Sequence, residues 1–422
     1  MALSEAGATM ASASGLRRIM EDIAITTSSS PGQRWLNLGI GNPASIPEVT
    51  AIWQRMTAEA LRVNFASVSC RYGSSRGTPE LIHAIVNYFN KRYDWNIGPQ
   101  NVVVGPGSQM LCFIAAALYT GPSSGRSTNL VIPLLPDYTG YQGLCMTPGG
   151  ILGIEPDVQR ATGRRFRYQF DFLALERQKD IGMILLSSPS NPSGRCVTSD
   201  ELERLIYAAE TADVPLLIDN AYGEPFPSIG DALLAPIWHR NVINCFTMSK
   251  VGLPGERIGF AIGDERYLHS MVSFIANSAL HAPQLVQMAV ARALDSGDLD
   301  AVVSSAIRPF YAERRKLGER LLHSALPASV AWRLHASDGG MFSWIWVEDD
   351  WFDDGAFYQI MRDKGVFIVP GRYFFVEPEN GSRLGAHARQ CFRISLSTDE
   401  ATLREGVCLI AEALAEMQSG KS

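Results

Sequence analysis

Between about residues 100 and 263, short apolar runs alternate with segments of helical period, and few architectures satisfy that pattern. The runs Val102–Val104, Leu130–Ile132, Met183–Leu186, Pro215–Ile218, Val242–Phe246 and Ile258–Ile262 are almost continuously apolar, as strands covered on both faces are. Joined through helices, they predict an α/β fold around a largely parallel sheet. Several of them run directly into loops rich in Gly, Pro, Ser or Asn. In an open α/β sheet ligands bind beyond the C-terminal ends of the strands, so chemistry is expected in those loops.

Past Ile262 the pattern changes. Asp264 to Leu322 reads as long helices broken near His281–Pro283 and Gly297. Candidate strands Val330–Leu334, Met341–Val347, Val366–Val369 and Cys391–Ile394 then interleave with two amphipathic helices, Asp354–Lys364 and Glu400–Met417. This predicts a second, smaller α/β unit. A length of 422 residues at 46% hydrophobic content supports two domains. The expected division is residues 48–300 for the large domain and 1–47 with 301–422 for the small one. Thr26–Ser30 and Pro122–Ser127 read as Ser-rich turns.

Composition narrows the function. With 37 basic and 43 acidic side chains mixed along the chain, net charge −6, there is no electropositive footprint for nucleic acid. The seven cysteines are scattered without a CxxC pair, and neither they nor the seven histidines fall at metal-ligand spacing, so no metal is expected. A reduced, cytoplasmic setting is expected. The start lacks the apolar core of a secretory signal, and no window reaches the roughly 18 apolar residues of a membrane span.

Four strand-end motifs carry the chemistry. Gly105-Pro106-Gly107-Ser108-Gln109 follows one strand and opens a helix, where close backbone approach and free N–H groups favour a phosphate. It stops short of a GxGxxG fingerprint because Met110 fills the last position. Ser187-Ser188-Pro189-Ser190-Asn191-Pro192-Ser193-Gly194 ends another strand, with Asn191 held extended by the following proline. Leu216-Leu217-Ile218-Asp219 places a carboxylate after an apolar run, where it needs a partner such as a protonated ring nitrogen. Finally, Thr247-Met248-Ser249-Lys250 sets a lysine among hydroxyls, with Arg257 seven residues on to suit a phosphate and to lower the lysine pKa. Each motif alone also reads as a turn, a cap or a surface lysine. Together they fall in one order along one sheet.

In these motifs the chain resembles the class I/II aminotransferases, the fold-type I pyridoxal 5′-phosphate (PLP) enzymes, over nearly its whole length. That resemblance implies a large domain with a mostly parallel seven-stranded sheet flanked by helices, plus a smaller α/β domain. It casts Lys250 as the Schiff-base lysine, Asp219 as partner of the pyridine nitrogen, and Asn191 and Tyr222 as donors to the phenolic oxygen. Lys250, Asp219 and Tyr222 are the catalytic set. Gly107, Ser108, Gln109, Thr247, Ser249 and Arg257 would cradle the phosphate, and Tyr138 would stack on the ring. Arg393, in Cys391-Phe392-Arg393-Ile394-Ser395, would grip the substrate carboxylate, with Ile40, Gly41 and Asn191 beside it. The family places its site at a homodimer interface, where Tyr72 would reach the phosphate bound by the other subunit.

Within the family, Gly41-Asn42-Pro43-Ala44-Ser45-Ile46-Pro47, Asp137-Tyr138-Thr139-Gly140-Tyr141 and Ser249-Lys250-Val251-Gly252-Leu253-Pro254-Gly255 are most similar to the valine–pyruvate aminotransferases. The substrates implied are a small neutral amino acid and a 2-oxo acid. Ser188, Glu224, Ile40 and Thr247 depart from that subgroup. The acids Glu224 and Glu256 motivate an alternative: a PLP-dependent lyase or γ-replacement enzyme acting on a cationic substrate such as S-adenosylmethionine. A PLP-binding transcriptional regulator does not fit, because no basic helix-turn-helix segment precedes Leu36. Arg34, Arg71, Arg76, Arg372, Arg383 and Arg389 are candidates for a substrate side-chain carboxylate.

Overall fold

The computed structural model describes residues 2–12, 15–30, 32–123, 125–376 and 384–420. Its main sheet runs Val102–Gly105, Gly259–Ile262, Val242–Thr247, Leu216–Asp219, Ile181–Ser187, Arg126–Ile132 and Ile151–Gly153. Every strand is parallel to its neighbour except Gly259–Ile262, which is antiparallel to both of the strands beside it. A short strand, Gly121–Ser123, forms a hairpin with the start of Arg126–Ile132, so the expected turn at Pro122–Ser127 lies within that hairpin.

The continuous apolar runs have a physical cause: alternate residues feed opposite cores. Met183 and Leu185 join the core that contains Leu111 and Ile114 of the helix Ser108–Tyr119. Ile184 and Leu186 join the core that contains Leu202 and Leu205 of the helix Ser199–Ala212. The predicted helical region resolves into Glu265–Ser278, Gln284–Asp295 and a continuous helical run of Asp298–Val302, a π-turn Val303–Ile307 and Arg308–Ala325, with breaks at the expected places.

The second sheet has six strands in the order Val369–Pro370, Cys391–Ser395, Phe342–Val347, Trp332–His335, Arg165–Gln169 and Asp157–Ala161. Its last two strands are a hairpin from the middle of the chain. The 48–300 range drawn from sequence therefore contains a hairpin that pairs with the other sheet, at Leu334↔Arg165 and His335↔Phe166.

A second departure concerns Thr26–Ser30. Most of this run is the last turn of a helix, Gly15–Ser29, and not a free turn. The hydroxyls of Thr27, Ser28 and Ser29 donate to carbonyls four residues back, which lets a hydroxyl-rich run remain helical. That helix packs on the turn Thr139–Gly143 and on Gly371–Phe374, and Asp22 joins it to Tyr358 at 2.5 Å and to Arg362 at 3.2 Å.

Candidate active site

Sheet register brings the four motifs level. Asp219 lies opposite Ser187 on one neighbouring strand and Cys245 on the other, while Thr247, Gly259 and Gly105 align across the next three strands. At Gly107 the backbone turns through φ +86° to start the helix Ser108–Tyr119. A β-carbon there would stand 2.5 Å from Nη2 of Arg257, and one on Gly259 would stand 2.8 Å from the Ser108 nitrogen. Only glycine permits this approach of helix start, strand and guanidinium.

Around the same point Thr247 Oγ1 donates to Ser249 Oγ at 3.0 Å, and Arg257 Nη1 donates to Ser249 Oγ at 3.4 Å and to the Pro254 carbonyl at 3.2 Å. Gln109 reaches the Gly140 carbonyl at 2.9 Å, tying the helix start to the Tyr138 turn. Helix-start N–H groups, hydroxyls and one arginine form a donor set suited to a phosphate monoester, with no acid among them. The residues fit the phosphate of PLP.

Asp219 is 5% exposed. Burial pushes its carboxyl up to about 6, opposed by donation from Tyr141 Oη at 2.9 Å, by the Ala221 N–H at 3.1 Å and by the Lys250 charge. A buried carboxylate with two neutral donors gains from a cationic partner, which a protonated pyridine nitrogen supplies. Tyr141 stood inside a quoted motif, yet nothing in the sequence assigned it a task.

Lys250 lies on the single turn Ser249–Val251 and donates from Nζ to the Gly41 carbonyl at 2.7 Å. Burial lowers its pKa to about 8, helped by the charges of Arg393 and Arg257 and opposed by Asp219. Its Nζ lies 5.8 Å from the centre of the Tyr222 ring. The amine is thus partly neutral near physiological pH, as a nucleophile or proton carrier requires.

Arg393 sits mid-strand and is 5% exposed. Nη1 donates to Asn191 Oδ1 at 2.8 Å and Nη2 to the Gly39 carbonyl at 2.9 Å. Its guanidinium carbon lies 3.9 Å from the centre of the Phe342 ring and 5.2 Å from that of Phe374. No carboxylate among the described residues pairs with it, and burial lowers its pKa to about 10. A desolvated guanidinium without an anion is prepared to receive one. Because Asn191 Oδ1 accepts from Arg393, the NH₂ of the same amide is the group left to donate.

The structure therefore gathers Asp219, Lys250, Tyr222, Asn191, Arg393 and Gly41 about one point, with Tyr138 edge-on to Tyr141 at 5.3 Å between ring centres. Ile40 is half-buried between Gly39 and Gly41. Tyr72 is apart from them, 87% exposed and edge-on to His281. Gly39, Phe342 and Phe374 were not among the residues chosen from sequence. Their positions follow from chain segments separated by hundreds of residues, which no local pattern encodes.

The candidate arginines for a second carboxylate are otherwise engaged or exposed. Arg34 pairs with Glu405, Arg372 with Asp353 and Asp354, and Arg76 donates to the carbonyls of Pro99, Gln100 and Val102. Arg71 and Arg389 are exposed, and Arg383 lies outside the described residues. Nor do the acids behind the alternative reading face this cluster. Glu224 acts on Tyr93, Glu256 is exposed, and neither perturbs Lys250, Asp219 or Arg393.

Residues 33–410 match the family model "Aminotransferase class I and II". The chain is 30% identical to valine–pyruvate aminotransferase of Escherichia coli K12 over 95% of both chains. Among solved structures, it superposes on valine–pyruvate aminotransferase from Salmonella typhimurium LT2 with TM-score 0.84 at 28% identity, covering 96% of this chain and 99% of that one. A putative amino-acid aminotransferase from Psychrobacter arcticum 273-4 gives TM-score 0.92 at 29% identity, covering 99% of each. The fold, the array of strand-end motifs and these matches agree, and the chain belongs to the class I and II aminotransferases, PLP-dependent transferases of fold type I.

Proposed function

We propose that this aminotransferase exchanges the amino group of a small neutral amino acid, of the valine or alanine kind, with a 2-oxo acid such as pyruvate. The observation that carries the reading is the charge inventory of the site. Among the described residues of its own chain, the cations whose charge acts on Lys250 are Arg393 and Arg257. Arg257 lies with the phosphate cradle, so Arg393 serves the α-carboxylate, and within the same subunit no further described arginine stands beside Lys250 for a carboxylate on the substrate side chain. The identity to a valine–pyruvate aminotransferase points the same way.

PLP, when bound, supplies an electron sink for the negative charge that develops at the substrate α-carbon. The protein's residues do the rest. Asp219 would hold the proton on the ring nitrogen, which would keep that sink effective. Tyr138 would stack on the ring, and the Asn191 amide and Tyr222 hydroxyl would donate to its phenolic oxygen. Arg393 fixes the substrate carboxylate by a bidentate pair, which aligns the α-hydrogen with Lys250 Nζ. Lys250, with its pKa near 8, would take that proton from the α-carbon and hand it to the cofactor carbon that receives the amino group. The active unit is a homodimer in which the exposed Tyr72 ring reaches the phosphate held by the other subunit.

Mass-spectrometric detection of 2-oxo acid from a panel of amino acids tests this, with pyruvate as acceptor for every donor except alanine, which is paired with the 2-oxo acid of valine because alanine and pyruvate only exchange into each other. Valine or alanine is expected to turn over at least about tenfold faster than aspartate or glutamate, since an unpaired side-chain carboxylate is costly in such a site and tenfold corresponds to about 1.4 kcal/mol. Lys250→Ala is expected to lose both turnover and the visible cofactor band. Faster turnover of aspartate, or release of a sulfur compound from S-adenosylmethionine, defeats the assignment.

A further inference from the structure

Asp137 is a carboxylate to which the chemistry above gives no task. It is 4% exposed and has no cationic partner among the described residues. Burial pushes its carboxyl up to about 7, opposed by three donors and reinforced by Asp219. Those donors explain its presence. Oδ1 accepts from the Tyr138 N–H at 2.7 Å and from Ser187 Oγ, and Oδ2 accepts from the Ser187 N–H at 3.1 Å. Ser187 Oγ in turn accepts from the Asn191 N–H at 3.4 Å, so the chain of bonds has one direction from the Asn191 loop to Asp137.

The main chain completes the arrangement. The Asp137 N–H donates to the Phe374 carbonyl at 3.1 Å. From the same turn, Gln142 Nε2 donates to the carbonyls of Tyr373 and Phe375, both at 3.0 Å. The Phe374 ring flanks the Arg393 guanidinium at 5.2 Å. A single residue is thus bonded to the segments that present the Tyr138 ring, the Asn191 amide and one wall of the Arg393 site, the first two following strands of the main sheet and the third following the strand Val369–Pro370 of the six-stranded sheet.

We propose that Asp137 is a positioning residue of the active site, whose carboxylate and N–H hold Tyr138, Asn191 and the Phe374 wall beside Arg393 in fixed mutual orientation. A carboxylate is needed because both oxygens face donors. Asparagine turns one of these acceptors into a donor pointed at an N–H or O–H. The inference rests on the cofactor reading above, because bound PLP serves as the reporter.

The test compares wild type, Asp137→Asn and Ser187→Ala by three measurements: PLP dissociation constant, induced visible circular dichroism per bound cofactor, and melting of the cofactor-free protein. Asp137→Asn is expected to lose roughly half or more of the dichroism per cofactor and to bind PLP about tenfold more weakly, the effect of one misdirected buried hydrogen bond. Ser187→Ala keeps the carboxylate and the backbone donor and is expected to shift both in the same direction by less. Lower melting with unchanged dichroism and affinity in both variants means Asp137 only stabilises the fold, and the inference is overturned. Should Asp137→Asn fail to fold, Ser187→Ala decides, and unchanged dichroism there overturns it equally. A wild-type protein with no visible cofactor band removes the cofactor reading and this inference together, whereas a normal wild-type band with unaltered variants removes this inference alone.

Discussion

Replacing Arg393 with methionine separates what the site does for a substrate from what it does for the fold. The side chain is 5% exposed, lies against the Phe342 ring, and makes hydrogen bonds of 2.8 Å to Asn191 and 2.9 Å to Gly39, with no carboxylate partner among the described residues. Burial lowers its pKa from the ordinary guanidinium value to about 10, which corresponds to roughly 3 kcal/mol against the charged form. Methionine removes that cost. It also leaves Asn191 Oδ1 and the Gly39 carbonyl without their donor, at about 1–3 kcal/mol each. The contributions oppose, so the folding free energy is expected to stay within about 3 kcal/mol of wild type. Amino-acid binding has no such offset. Losing a desolvated charge pair costs about 2–5 kcal/mol, or roughly 30- to 4,000-fold in dissociation constant. Titrating PLP-loaded protein with the preferred amino acid, followed by cofactor absorbance, measures the second effect, and thermal melting of the same samples measures the first. A folded Arg393→Met protein whose affinity lies within about threefold of wild type would refute the charge-pair reasoning. Arg393→Lys is the control for geometry, since it keeps the charge but loses the planar fork.

Three further outcomes test the cofactor end. In cofactor-free protein the rate of PLP attachment to Lys250 is expected to rise with pH through about 8 and not through the ordinary lysine value of 10.5, as stopped-flow absorbance will show. The same depressed value means that protonated Lys250 opposes folding fully below pH 8, with the penalty relieved between pH 8 and 10.5, so Lys250→Met is expected to flatten the stability rise in that window. Gly107→Ala places a β-carbon 2.5 Å from Arg257 Nη2 at a φ of +86°. Equilibrium dialysis is expected to show PLP bound at least about tenfold more weakly, with pyridoxal lacking the phosphate much less affected; equal losses for both count against the phosphate assignment.

Much of the fold was legible because its determinants are local. The strands Val242–Thr247 and Gly259–Ile262 announce themselves by apolar runs, and the breaks near His281–Pro283 and Gly297 by residues that cannot continue a helix. The hairpin Asp157–Gln169 was not assigned to the second sheet, because its exposed first strand alternates weakly and its partner, Trp332–His335, lies more than 160 residues away. The Ser-rich end of the first long helix was misread as a turn, since hydroxyls that bond back to the helix look in sequence like hydroxyls that end one.

The order of residues along the chain determined the parallel sheet, the polar loops at its C-terminal edge, and the residue types set in them: Gly107, Asn191, Asp219, Lys250. Those features depend on propensity and periodicity over a few residues. Only the tertiary structure decided that Tyr141 would donate to Asp219, that Arg393 would rest between Gly39 and Asn191 without an anion, and that Asp137 would join the Tyr138 turn to Ser187 and Phe374. The pKa values of Asp219, Lys250 and Arg393 belong with these, because desolvation and the field of distant charges exist only once the chain has closed around them.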